Sequence, residues 1–154
     1  MALRYWLFKS EPGAYSYDDL ANDGTAEWDG VRNYQARNLL RDDIKKGDGV
    51  LFYHSSTTNL AVIGTARVER SGYPDFTAWG TASEHPDSKS TPANPIWYMV
   101  DIRAEQRFPN PVSREAMKAA SELGSMVLLK KGRLSVQPVT ESEWQKICRM
   151  GGLT

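Results

Sequence analysis

Val50-Leu-Phe-Tyr-His54 follows the turn Lys46-Gly-Asp-Gly49 as an unbroken apolar run of strand length. It is too short for a helix and rich in residues that suit a pleated sheet, so it reads as a strand buried on both faces. Tyr5 to Lys9 reads as an earlier strand, ended by the breaker Glu11-Pro-Gly13. Leu60 to Val68 is a third, and Gly64 at its middle marks a bulge or a close backbone approach, as in a barrel that must bend. Ile96 to Ile102 is a fourth. Between these two, Ser71 to Pro95 shows no periodicity and reads as a long irregular loop, with a polar run from Ser83 to Asn94.

The helix signals are local. Ser16-Tyr-Asp-Asp19 and Thr140-Glu-Ser-Glu143 are capping boxes, predicting a short helix over 16–21 and a final helix towards Met150. Ser113 to Ser121 reads as a helix with a Ser cap. Met126 to Leu129 and Leu134 to Val136 are short apolar segments around the basic run Lys130-Lys-Gly-Arg133. Strands and helices mix without a βαβ rhythm and without an internal repeat. The pattern predicts an α+β fold, a small mixed barrel with helices at its ends, built as a single domain over 1–154.

One stretch concentrates chemistry: Trp28-Asp-Gly-Val-Arg-Asn-Tyr-Gln-Ala-Arg-Asn-Leu-Leu-Arg41. Asn33 is an N-cap residue type, and a helix is predicted from it to about Asp42. Arg32, Arg37 and Arg41 sit four to five residues apart, along one broad side of that helix. An aromatic plate, a helix start and guanidinium groups this close suit a flat polar ligand; a buried Trp beside a solvated Arg face is the plainer alternative. Trp6, Trp97 and Trp144 fall in regular elements and belong to the core. Trp28 and Trp79 fall in loops, where an indole can stack on a base, a contact worth about 1–3 kcal/mol.

Charge limits the partners. Nineteen basic and nineteen acidic residues cancel, which argues against strong unselective binding to nucleic acid, since that rests on many phosphate contacts. The single cysteine, Cys148, excludes an internal disulfide. No apolar run nears the roughly 20 residues of a membrane span, and Met1 to Ser10 reads as a strand rather than a signal peptide. The expected location is the cytoplasm, or the nucleus in a eukaryote. His54 and His85 have no cysteine at metal-ligand spacing, so no metal is expected. There is no phosphate-binding or nucleophile motif. His54 and Ser55 are neighbours on a strand end and point to opposite faces, which argues against a base–nucleophile pair.

Tyr5-Trp-Leu-Phe-Lys-Ser-Glu-Pro12, Trp28 to Asn38, and Gly47-Asp-Gly-Val-Leu-Phe-Tyr-His-Ser55 together resemble the EVE domain. Tyr73-Pro-Asp75, Asn94-Pro-Ile-Trp97 with Val100-Asp101, and Arg133-Leu-Ser-Val-Gln-Pro138 continue the pattern in the same order. The resemblance implies a PUA-like pseudobarrel, related to YTH and ASCH domains. It also implies a pocket for a modified base, of the 5-methylcytosine type in DNA or the N6-methyladenine type read by YTH relatives.

Carried over, Lys9 and Ser10 line the base pocket and Trp28 is a cage aromatic; Glu11, a turn residue beside Pro12 on the residues alone, is read as an acceptor for the base edge. Trp79 lies in the region of a second one. Val31, Asn33, Tyr34 and Arg37 come from the helix motif at the pocket mouth. Tyr53, His54 and Ser55 come from a strand end, and Arg133 and Ser135 from the C-terminal motif. The resemblance thus implies a monomeric binding module for DNA or RNA with modified bases, not an enzyme, with no cofactor and no membrane partner. The rival is a small enzyme of nucleotide or RNA modification or hydrolysis, using Lys9, Glu11 or His54 as acid or base.

Overall fold

Gly49–His54 (β3) is buried from Gly49 to Tyr53 in the computed structural model, which describes residues 3–80, 85–131 and 133–153. Met1, Ser83 and Gly132, named above, lie outside the described residues. Both flanks of β3 are occupied. Tyr5–Ser10 (β1) runs parallel to it, with Tyr5 opposite Gly49 and Ser10 opposite His54. Ala61–Pro74 (β4) runs antiparallel on the other side. Thr25–Glu27 (β2), Tyr98–Ser113 (β5) and Val136–Val139 (β6) complete a six-stranded mixed sheet in the order β2-β5-β4-β3-β1-β6. The outer strands do not join, so the sheet stays open, and the class is the α+β expected from the mixed rhythm of elements.

Period-two alternation sends neighbouring residues to opposite faces, and both faces are covered. Trp6, Phe8, Val50 and Phe52 join one core with Leu20, Trp28, Leu40 and Ile44. Leu7, Leu51 and Tyr53 join the other with Met117, Leu123, Leu128 and Ile147. The first face is roofed by Tyr17–Asp23 (α1) and Tyr34–Asn38 (α2), the second by Arg114–Ala119 (α3), Val127–Lys130 (α4) and Glu141–Met150 (α5). The capping boxes at Ser16 and Thr140 form with both reciprocal bonds, and Ser113 and Asn33 cap α3 and α2.

Several elements differ from the sequence expectation. The helix after Asn33 keeps α geometry only to Asn38, then becomes a π-helical turn over Leu39–Asp43. There the Ile44 N–H reaches back to the Leu39 carbonyl at 2.9 Å. Ser71 to Pro74 is not loop but the end of β4, and β5 runs on to Ser113 instead of stopping at Ile102. The long β4–β5 pair shifts register at several points, including Val62/Gly64. Gly64 is needed at that bulge, because a Cβ there would stand 2.6 Å from the Gln106 carbonyl oxygen. Among the described residues, no helix is long and apolar enough to cross a membrane.

Candidate functional site

A cavity of about 650 Å³ opens where β1 ends, between that strand end and the β2–Trp28 segment, within the usual size range of small-ligand pockets. Trp28 is 9% exposed and lines it. The indole packs against Phe8 at 5.3 Å and Phe52 at 5.6 Å between centroids, with Tyr15 edge-on at 6.4 Å. Its backbone N–H donates to the Val100 carbonyl at 2.7 Å, pinning the loop to β5. The ring is therefore both core and cavity wall. Lys9, Ser10 and Glu11 line the same cavity from the end of β1.

More of the wall comes from residues that the sequence reading did not choose as ligand contacts, Tyr15, Asp23, Glu27, Asp29, Gly30 and His85 among them. They are gathered from the ends of four different segments, so no local spacing marks them. Tyr15 is tied in place. Its hydroxyl donates to Asp23 at 2.8 Å, and its carbonyl accepts from the Ser10 hydroxyl. Burial, and then the Asp23 bond and charge, push the Tyr15 phenol well above its ordinary pKa. Gly30 has φ +76, and a Cβ there would stand 2.9 Å from the His85 ring, so any other residue at this rim position would be strained. Four carboxylates, from Glu11, Asp23, Glu27 and Asp29, surround the cavity against the single ammonium of Lys9.

Other sequence-selected residues fall in a second cavity of about 440 Å³. Tyr53, Ser55, Arg133 and Ser135 line it, again with Lys9 and Glu11, and Arg114 joins them from the start of α3. Burial lowers the Lys9 pKa, and the Arg114 charge lowers it further. His54 turns away, into a third cavity with Thr57, Asn59 and Pro111. Its Nε2 accepts the Tyr17 N–H at 3.1 Å, and burial lowers its pKa.

The helix motif serves the framework around the cavity. Val31 is buried in the core. The Asn33 side chain accepts the Ala36 N–H at 2.9 Å and so is used as a cap. Tyr34 is 58% exposed and lies on Trp97, with centroids 4.9 Å apart. The three arginines do not form a free row. Arg32 binds Asp75 at 2.9 Å and the His85 carbonyl at 2.6 Å. Arg37 donates to the Ile96 carbonyl at 2.7 Å and to Asn38, and Arg41 to Asp42. Asp75, fully buried, also accepts from Gly30 N–H at 2.9 Å and Thr77 N–H at 2.8 Å. Burial works to raise its pKa, but the bonds from Thr77, Arg32 and Gly30 outweigh it and hold the carboxyl below its usual range. This network fixes the Gly30 corner of the first cavity. Trp79 is half-buried, its indole nitrogen has no hydrogen-bond partner among the described residues, and the ring lines neither of the two cavities at the β1 end.

Residues 4–150 match the family described as the EVE domain, and the chain belongs to it. An uncharacterized protein of Schizosaccharomyces pombe is 38% identical over 94% of this chain, which spans 66% of that protein's length. A solved structure of a hypothetical protein from Leishmania major is 47% identical, covers 97% of this chain and 95% of its own, and superposes with a TM-score of 0.93. Human THYN1 protein, solved in complex with 5-methylcytosine containing DNA, is 33% identical, with 98% of this chain and 99% of that one covered and a TM-score of 0.90.

Proposed function

We propose that this EVE domain, acting as one unit, is a nucleic-acid-binding module that takes a modified base, of the 5-methylcytosine type, into the cavity over Trp28. The observation that carries the reading is the cavity itself: an indole in its wall, Ser10 and Glu11 at its rim, and room for a planar ring. Bases taken out of a stack are held in this way, by stacking on aromatic rings and by hydrogen bonds to their edges. The likeness to human THYN1, which was solved with DNA of that kind, supports it.

The carboxylates around the cavity favour a base that offers N–H donors. Cytosine presents an amino group where thymine presents a carbonyl oxygen. A 5-methyl group adds buried apolar area, worth up to about 0.8 kcal/mol, or roughly fourfold in affinity. We read the module as a binder and not a catalyst: Lys9 and Glu11 share both cavities at the β1 end, but His54, the remaining acid–base candidate, lines neither. His54 opens on a different cavity from Ser55, and its Nε2 accepts the Tyr17 N–H.

Fluorescence titration of single-stranded oligomers carrying one 5-methylcytosine, cytosine or thymine tests the reading. The expected order is 5-methylcytosine over cytosine over thymine. Equal affinity for all three would remove the base pocket from consideration.

A further inference from the structure

The two cavities at the end of β1 lie on opposite faces of the sheet. Ser10 continues the Trp6–Phe8 face and lines the first; Lys9 and its cross-strand neighbour Tyr53 continue the Leu7–Leu51 face and line the second. Lys9 and Glu11 line both, so the cavities meet around one strand end. Their charges are opposite. The first is ringed by four carboxylates, whereas the second gathers Lys9, Arg114 and Arg133 against Glu11 alone. In a chain of zero net charge this is local sorting, not a general basic surface.

Among the described residues, neither Arg114 nor Arg133 forms an ion pair with a carboxylate. Hydroxyls of Tyr53, Ser55, Ser56 and Ser135 stand around the same cavity and can donate to an anion. Ser56 has φ 54, in the left-handed region that side chains rarely adopt. Such strained residues gather where a ligand is gripped.

We propose that the second cavity is an oxyanion subsite that holds the phosphate adjoining the base bound over Trp28. It rests on the base-pocket reading for its alignment, and on its own cations and hydroxyls for its chemistry. The nucleotide straddles the end of β1, with its base among acceptors on one face and its phosphate among donors on the other. Arg114 and Arg133 take phosphate oxygens as charge-assisted forks. The shared chemistry is a phosphate ester, either a linkage within a strand or the terminal group of a free nucleotide.

The test uses a single-stranded DNA oligomer with one 5-methylcytosine, and the same oligomer with uncharged methylphosphonate linkages on both sides of that nucleotide. Removing the charge is expected to weaken wild-type binding about tenfold. The Arg114→Ala/Arg133→Ala double variant should bind the charged oligomer about tenfold less tightly, with a shallower salt dependence, and lose nothing further on neutralisation. Its preference for 5-methylcytosine over cytosine should be unchanged, and Arg114→Lys/Arg133→Lys should recover part of the loss. A double variant that binds the charged oligomer as tightly as wild type, with the same salt slope, overturns the subsite. Loss of base preference in wild type with the arginine effect intact would instead sink the base pocket alone. Titrating 5-methyldeoxycytidine monophosphate separates the two sources: affinity equal to that of the oligomer assigns the subsite to free nucleotides, and a much weaker one assigns it to a strand.

Discussion

Trp28 stands edge-on to Phe52, with ring centroids 5.6 Å apart and planes at 81°. The contact ties the wall of the first cavity to β3 near the middle of the sheet, so the recognition proposed for this indole and the stability of the fold would share one side chain. Trp28→Ala is expected to cost about 3–5 kcal/mol, the usual loss for emptying a large aromatic site. Trp28→Phe keeps most of the packing while shrinking the stacking surface. Melting curves and oligomer titrations on both variants should show a large fall in Tm for the first and a mainly binding defect for the second.

The acidic rim predicts that the exocyclic amino group matters more than the methyl. Replacing 5-methylcytosine by thymine keeps the methyl and turns a donor into an acceptor. Facing carboxylates, that exchange is expected to cost about 1–3 kcal/mol, the scale of discrimination by a well-placed base contact. Competition between the two oligomers measures it directly.

His54 accepts the Tyr17 N–H at the start of α1, and burial holds its pKa below the ordinary value. The folded state thus binds a proton less readily than the unfolded chain. Its contribution to stability is complete above about pH 6.5 and is lost as pH falls through the lower folded value. Chemical unfolding between pH 7.5 and 5 should show that decline, and His54→Gln should flatten it.

Asp75 gathers four donors from three residues, and Arg32 is the charged one. Asp75→Asn removes the carboxylate and leaves the guanidinium beside a neutral amide. The expected loss is about 3 kcal/mol, at the low end for breaking a buried pair because Arg32 keeps part of its exposure. Because the folded carboxyl titrates below its usual range, the wild-type advantage is full at neutral pH and disappears only in strong acid. Urea unfolding of the variant at pH 7 and pH 3 should show the difference narrowing.

Gly72 lies where β4 passes under the π-helical turn, and a Cβ there would come 2.2 Å from the Leu40 carbonyl oxygen. Gly72→Ala must push two backbones apart. A loss of several kcal/mol is expected, beyond the roughly 1–3 kcal/mol of ordinary overpacking, and calorimetry reads it as a lowered Tm.

Sequence reading reached the features whose causes are local. Ser16, Asn33, Ser113 and Thr140 each cap a helix through a bond to a residue three positions on. The apolar run in β3 and the glycine at the β4 bulge were equally legible. β2 was not, since three residues carry no periodicity and exist as a strand only because β5 pairs with them. The far half of β5 was missed because its polar residues face solvent while Phe108 and Val112 alone reach the core. The same logic governs the cavity. Lys9, Ser10, Glu11 and Trp28 were chosen as candidates, but Tyr15, Asp23, Glu27 and Asp29 meet them only through sheet topology. The row of arginines was misleading because helical spacing says nothing of Asp75 or the Ile96 carbonyl, which consume two of them.

The strand carrying Lys9 and Ser10 lies between β3 and β6, with Tyr5 paired to Val139 and the Lys9 N–H held by the Ser135 carbonyl. Synthesis therefore delivers one side of this strand early and the other only after nearly every remaining element has emerged. Contacts so distant along the polypeptide form slowly. The proposed nucleotide site is therefore complete only once Val136–Val139 has paired with Tyr5–Phe8, a step that local structure near β1 cannot perform alone.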